Sequence, residues 1–363
     1  VRRGAGGKLV GFGDHSSPKA FFVNRLRSTS IVRSRGIVVI GHLAFLALVV
    51  LAPPPDHADE ALSPAEFRAS FDQSLAGKLT LSADVKDAAK RFRYVFVGGF
   101  MSEGMSEYFK QNAQELRALG VRRDAIHYIF PSSNENTKGN AGEVRDLFQE
   151  FAALGEEKLV VIAHSRGACD SLAFALENPK FIARHVEALF LIQGPFGGTG
   201  IADYLTGEGP PIDGRMPLRD RLIASGAGWL EEYVLSRGWH AGLPSLSRRA
   251  SKEYWENALK THKEAIVVVS PKTYYITTKS TPAHLGLVLR ATAAYLGSHF
   301  GPNDGLVALE DQSLAGVGTV LAVLDAGHTD LTHQFPSAVP RRRLRQALID
   351  AIIMSIARPD PDS

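Results

Sequence analysis

Apolar residues along this chain gather into short dense runs, separated by longer stretches in which they recur every three or four positions. The runs fall at 93–97, 125–130, 159–162, 188–193, 273–278 and 319–324. They are rich in β-branched and aromatic residues, as expected of strands covered on both faces. The intervening stretches at 106–119, 140–154, 283–296 and 341–356 predict helices. In 140–154 the apolar positions Val144, Leu147, Phe148, Phe151 and Leu154 lie at helical spacing. A further polar-faced helical lead-in is expected over 63–91. Strands alternating with helices define an α/β chain with a mostly parallel, doubly wound sheet.

One interval breaks this rhythm. Between 194 and 262 the chain carries Gly-Pro-Phe-Gly-Gly-Thr-Gly and Gly-Glu-Gly-Pro-Pro. It then places Trp229, Leu230, Tyr233 and Val234 at helical spacing. An insertion this long between core strands is expected to act as a cap or lid above the sheet. Packing of the same stripe on the core is the plainer reading.

Charge changes the picture at the N-terminus. The net charge is +3, yet residues 1–36 hold eight Lys/Arg against one acid, leaving −4 for the remainder. The body is not basic, so nothing here calls for nucleic acid. Residues 1–35 form a basic extension expected to lack fixed structure. Residues 36–52 are an apolar run behind Arg33 and Arg35 and ahead of three prolines. A basic flank, a short apolar region and a small-residue exit predict a secretory signal over 36–58, or an uncleaved anchor giving membrane association through 36–52. The run is shorter than the roughly 20 residues of a comfortable membrane span. Export, to the periplasm or beyond, is expected. Residues 59–358 form the main domain, and 359–363 a short tail. The one cysteine, Cys169, excludes an internal disulfide.

The candidate chemistry begins where the run 159–162 meets Ala163-His164-Ser165-Arg166-Gly167. A strand entering a helix through small-x-Ser-x-Gly is the nucleophile-elbow pattern, although Ala163 stands where glycine is usual. A serine that merely caps a helix would look similar. A serine nucleophile needs a base and an acid to orient that base. Asp304 in the turn Asn303-Asp304-Gly305 and His328 just past the run 319–324 supply them in the order Ser, Asp, His. Each has a bland alternative, a turn-forming Asp and a loop histidine. His333 is a second candidate base, while His299, Asp325 and Asp330 are expected to be a helix-end charge and turn or solvated acids. Oxyanion donors are expected from the N–H of Arg166 and from the Gly98-Gly99 turn, at Phe100 first and Met101 second. Gly99, His164, Phe196 and Trp229 are expected to line the substrate.

Together these segments resemble the α/β-hydrolases of the bacterial lipase/esterase type. Ala-His-Ser165-Arg-Gly is similar to their Gly-His-Ser-x-Gly elbow, Asn-Asp304-Gly-Leu-Val to their acid loop, and Gly-His328-Thr-Asp-Leu to their histidine loop. The segment 193–203 is similar to the turn after the next strand, without its His-Arg. The resemblance implies the α/β-hydrolase fold and cleavage of carboxylic esters, lipids among them, through Ser165, Asp304 and His328, with no catalytic cofactor. It also implies that a structural calcium could sit on Asp311 and Asp330. Acyl transfer or amide cleavage on the same triad, and a hydrolase-like binding protein without catalysis, are the alternatives.

Overall fold

The computed structural model describes residues 62–105, 107–209, 242–333 and 341–357. Its strands are β1 (Arg93–Val97), β2 (Ile126–Ile129), β3 (Leu159–His164), β4 (Val186–Ile192), β5 (Thr273–Lys279) and β6 (Thr319–Asp325). All neighbours pair in parallel, in the order β2-β1-β3-β4-β5-β6. Each predicted run is a strand, displaced at its ends by two residues at most. β3 lies inside the sheet between β1 and β4, and all its residues are buried.

Eleven helices surround the sheet among the described residues: α1 (Pro64–Leu75), α2 (Ala83–Ala89), α3 (Lys110–Ala118), α4 (Thr137–Ala153), α5 (Arg166–Glu177), α6 (Pro179–His185), α7 (Gly200–Leu205), α8 (Arg248–Thr261), α9 (Lys263–Val269), α10 (Leu287–His299) and α11 (Arg342–Ile356). Successive strand side chains point to opposite faces, and the core divides accordingly. Tyr94, Phe96, Val160, Ile162, Phe190 and Ile192 join Phe67, Leu116 and Leu348 on one side. Val95, Val97, Val161, Leu189 and Leu191 join Phe148, Leu172 and Trp255 on the other. A parallel sheet needs this double cover, because neither face of its strands carries a polar row.

The expected single lead-in helix over 63–91 is two helices. Gly77, at φ +69°, ends the first, and Ser82 caps the second by accepting from Val85 N–H. Predicted boundaries elsewhere move toward the caps. Asn136 accepts from Gly139 N–H and starts α4 earlier than its apolar stripe suggests. The expected cap over 194–262 is in part core, since Phe196 and Trp255 pack with Tyr275 under α5. The stripe Trp229, Leu230, Tyr233 and Val234, the extension 1–35, the signal or anchor 36–58 and the tail 359–363 lie outside the described residues. Among the described residues no helix is long and apolar enough to cross a membrane.

Candidate active site

β3 ends at His164 and α5 begins at Arg166, so one residue makes the turn between them. That residue, Ser165, has φ 55° and ψ −131°, a conformation that favours glycine. Close packing explains the small neighbours. A Cβ on Gly167 would stand 2.3 Å from the Gly98 carbonyl oxygen, and one on Gly99 would stand 2.6 Å from Ser165 Cβ. Ala163 is fully buried and packs with the core beneath α5. The serine hydroxyl therefore sits at the head of a helix, above the C-terminal edge of the sheet.

His328 follows β6, and its Nε2 lies 2.9 Å from Ser165 Oγ. Its Nδ1 lies 2.8 Å from Asp304 Oδ2. A carboxylate only accepts, so Nδ1 carries the proton and Nε2 is the bare nitrogen facing the hydroxyl. The turn that presents Asp304 is built by its own sequence. Asn303 Oδ1 accepts from Gly305 N–H, and Asp304 Oδ1 accepts from Leu306 and Val307 N–H at 2.9 and 2.8 Å. With that oxygen held by the backbone, the other faces the histidine. Asp304 is wholly buried and His328 nearly so.

The turn after β1 lies beside the serine. Gly99 N–H donates to Tyr108 Oη at 3.2 Å. Met101, at φ 72°, donates its N–H to Ser133 Oγ at 2.7 Å. The Ser133 hydroxyl and N–H donate in turn to the two Glu103 oxygens, at 2.7 and 2.8 Å. Met101 is thus engaged in bracing the turn and does not fit its expected role as an oxyanion donor. Phe100 precedes it, and the Arg166 guanidinium lies over its ring at 5.4 Å. Arg166 is buried, with Nε 3.6 Å from Asp170 Oδ2. Burial pushes the Asp170 carboxyl up to about 7 against the opposing pull of Arg166.

Two expected substrate contacts are structural instead. His164 is buried behind the triad, with Nδ1 2.5 Å from Tyr108 Oη and Nε2 2.8 Å from the His328 carbonyl oxygen. Burial holds its pKa well below the usual value, and the neighbouring His328 and His333 add to this. Phe196 is core, for the packing reason given above. Trp229 lies outside the described residues. His333 stacks on Tyr108 at 4.7 Å and is not the residue facing Ser165. His299 sits at the end of α10, with Nδ1 2.9 Å from the Tyr295 carbonyl oxygen. Asp325 is exposed beside His284.

The expected calcium carboxylates are held by arginines. Asp311 pairs with Arg248 at 2.7 Å and Asp330 with Arg341 at 3.2 Å, while Asp330 also accepts from Gly327 N–H. Among the described residues no group of three acidic, His or Cys side chains could hold a metal ion. With both carboxylates taken up by arginine, the donors present do not fit the ion.

Sequence reading does not single out Tyr108, Ser133, Gln193 or Gln312. Gln193 carries a signal nonetheless, being polar at the end of the apolar run Ala-Leu-Phe-Leu-Ile. Gln193 and Gln312 bring their Nε2 to 3.2 and 3.3 Å from Asp304 Oδ2.

A six-stranded parallel sheet covered on both faces, with a strained serine turn between its third strand in sheet order and a helix, is the α/β-hydrolase fold. This chain has it. Similar solved structures include the metagenomic carboxyl esterase MGS0156, at 22% identity and a TM-score of 0.53, over 74% of this chain and 76% of that one. Another is the mature Bacillus licheniformis lipase BlEst2, at 18% identity and a TM-score of 0.48, over 66% of this chain and 85% of that one. No family model and no curated protein matches the sequence. At these identities the likeness is one of fold.

Proposed function

We propose that the chain hydrolyses carboxylic esters, with Ser165 as nucleophile, His328 as base and Asp304 as the acid that orients it. The observation that carries this reading is the continuous line from Ser165 Oγ to His328 Nε2 and from His328 Nδ1 to Asp304 Oδ2, at 2.9 and 2.8 Å. Ser165 Oγ attacks the ester carbonyl as His328 Nε2 takes its proton. Asp304 steadies the resulting imidazolium and keeps its tautomer. The carbonyl oxygen, now anionic, is received by the N–H groups of Arg166 and Phe100 at the positive end of α5. The tetrahedral species then collapses. The bond to the alkoxy oxygen breaks, His328 returns the proton to that oxygen, and the alcohol leaves an acyl group on Ser165. Water, deprotonated by the same histidine, releases the acid. The carboxyl esterase of similar fold supports ester as the substrate class.

The test is labelling with a fluorophosphonate together with turnover of short, long and polymeric esters. Ser165→Ala and His328→Ala should each lower turnover by a factor on the order of 10⁶, because the members act as a unit. Asp304→Asn should lower it about 10⁴-fold by changing the histidine tautomer. Near-normal turnover in Asp304→Asn would falsify the assignment of the acid.

A further inference from the structure

Behind the triad runs a second line of buried polar side chains that the mechanism above does not use. It begins at the turn after β1, where Gly99 N–H donates to Tyr108 Oη. Tyr108 Oη meets His164 Nδ1 at 2.5 Å, and His164 Nε2 meets the His328 carbonyl oxygen at 2.8 Å and Gln193 Oε1 at 3.1 Å. Gln193 Nε2 closes the line on Asp304 Oδ2 and on the Gly327 carbonyl oxygen, both at 3.2 Å, and on Thr278 Oγ1 at 2.5 Å.

Proton directions follow from the acceptors. A carbonyl oxygen only accepts, so His164 Nε2 carries the hydrogen and Nδ1 receives the Tyr108 hydroxyl proton. The Gln193 amide must then face His164 with its oxygen. That turns its NH₂ toward Asp304 and Gly327, which offer only acceptors. Gln193 is wholly buried and sits at φ 53°, unusual for a residue other than glycine. From the end of β4 its side chain crosses to the neighbouring strand ends. There one amide touches the acid turn and the histidine loop, which reach the site from separate elements.

We propose that Gln193 is a positioning residue for the triad and that, through His164 and Tyr108, it ties the Asp304 carboxylate and the oxyanion turn into one mechanical unit. The proposal rests on the esterase reading above. Removing the amide takes away the side chain that joins the acid turn to the histidine loop, leaving Gln312 and Thr278 on Asp304 Oδ2, and lets that oxygen shift against the histidine. Removing the tyrosine hydroxyl releases the other end of the same line. Small displacements of this kind act on the rate of attack rather than on substrate binding.

The test compares Gln193→Met, which keeps the length of the side chain without its amide, with Tyr108→Phe, which keeps the ring on His333 without its hydroxyl. Both are also combined. The readouts are the second-order rate of fluorophosphonate labelling, and kcat and KM for a soluble ester per titrated Ser165. Each single variant should lose about 10- to 100-fold in labelling rate and in kcat, with KM changed less than about twofold. The double variant should lose no more than about threefold beyond the worse single one, because either change already breaks the line. Where Gln193→Met does not fold, Gln193→Asn keeps an amide one methylene short and should show the same loss. A purely structural role would lower the fraction of titratable sites and leave the rate per site alone. Single variants within twofold of wild type, or losses that multiply in the double variant, overturn this proposal while the esterase reading stands. A wild-type chain that takes no label overturns both.

Discussion

His333 is a histidine kept neutral beside the site, pushed down to about 3 by burial, with His328 and Arg345 adding to the effect. In the unfolded chain it titrates near 6.5. Between those values the unfolded state binds the extra proton, so the stability it contributes is lost as pH falls from about 6.5 toward 3. The slope is about 1.4 kcal/mol per pH unit. His164 works in the same sense. Asp170 and Asp311 work in the opposite one, raised to about 7 and about 6 chiefly by burial, so stability falls as pH rises through their window. The overall acid profile is a difference between these groups, and a variant isolates one of them. His333→Gln should lose about 2–3 kcal/mol less stability than wild type between pH 7.5 and 4.5, measured by urea unfolding at both pH values. Ser165, Asp304 and His328 are legible in the sequence because each stands in a turn whose neighbours, Gly167, Asn303, Gly305 and Gly327, mark it. Gln193, Tyr108 and Ser133 are not, since their roles depend on which loops meet in space. His164 reads as a substrate contact in the sequence and is buried behind the serine instead, because adjacency in sequence says nothing about which side of the turn a ring occupies.

The turn at Ser165 is tightly specified by its neighbours. A methyl on Gly167 would meet backbone, the Gly98 carbonyl, in a residue whose N–H is bonded to the Ile129 carbonyl of β2. Gly167→Ala should cost about 1–3 kcal/mol and abolish labelling of Ser165 in the molecules that still fold, checked by melting and by mass spectrometry of the labelled peptide. The brace of Met101 by Ser133 and Glu103 sets the neighbouring turn against the loop after β2. Ser133→Ala should lower kcat about tenfold by loosening that turn and should cost about 1–3 kcal/mol, since Met101 N–H and a Glu103 oxygen lose their partner, read by steady-state kinetics and by melting. Strands were readable because their apolar runs lack helical spacing and are bounded by polar turns. Helix limits were less so, because caps such as Asn136 and the break at Gly77 follow backbone geometry rather than hydrophobic period.

Across the molecule, the first helix among the described residues is an integral part of the fold. α1 buries Phe67 and Phe71 against the same core as α11, donates Ser74 Oγ to Asp350 at 2.5 Å, and reaches the Val323 carbonyl of β6 through Arg68. Phe67→Ala should cost about 3–5 kcal/mol while leaving turnover per folded site unchanged, since the contacts of α1 are with α11 and β6. This bears on the expected signal. Cleavage at 53–59 would leave α1 whole, whereas cleavage beyond Pro64 would remove its cap at Ser63. N-terminal sequencing of protein recovered after export should therefore place the first residue within 53–59. The fold class was legible at this scale because alternation of runs and helices needs only a double-covered sheet. The extent of the cap was not, because an interval rich in glycine and aromatics reads alike whether its ends, as at Phe196 and Trp255, dive into the core or not.

On the esterase reading, the backbone at Ser165 sets folding and chemistry in competition at a single codon. Its φ of 55° is where a side chain is a burden and glycine is at ease. Ser165→Gly should unfold at higher denaturant than Ser165→Ala, by on the order of 1 kcal/mol after glycine's own entropy is subtracted, although both are inert. A library of this gene sorted for thermal survival alone would then drift toward glycine at 165. It would enrich robust proteins that have lost the reaction, and serine would persist only where each round is also screened for turnover.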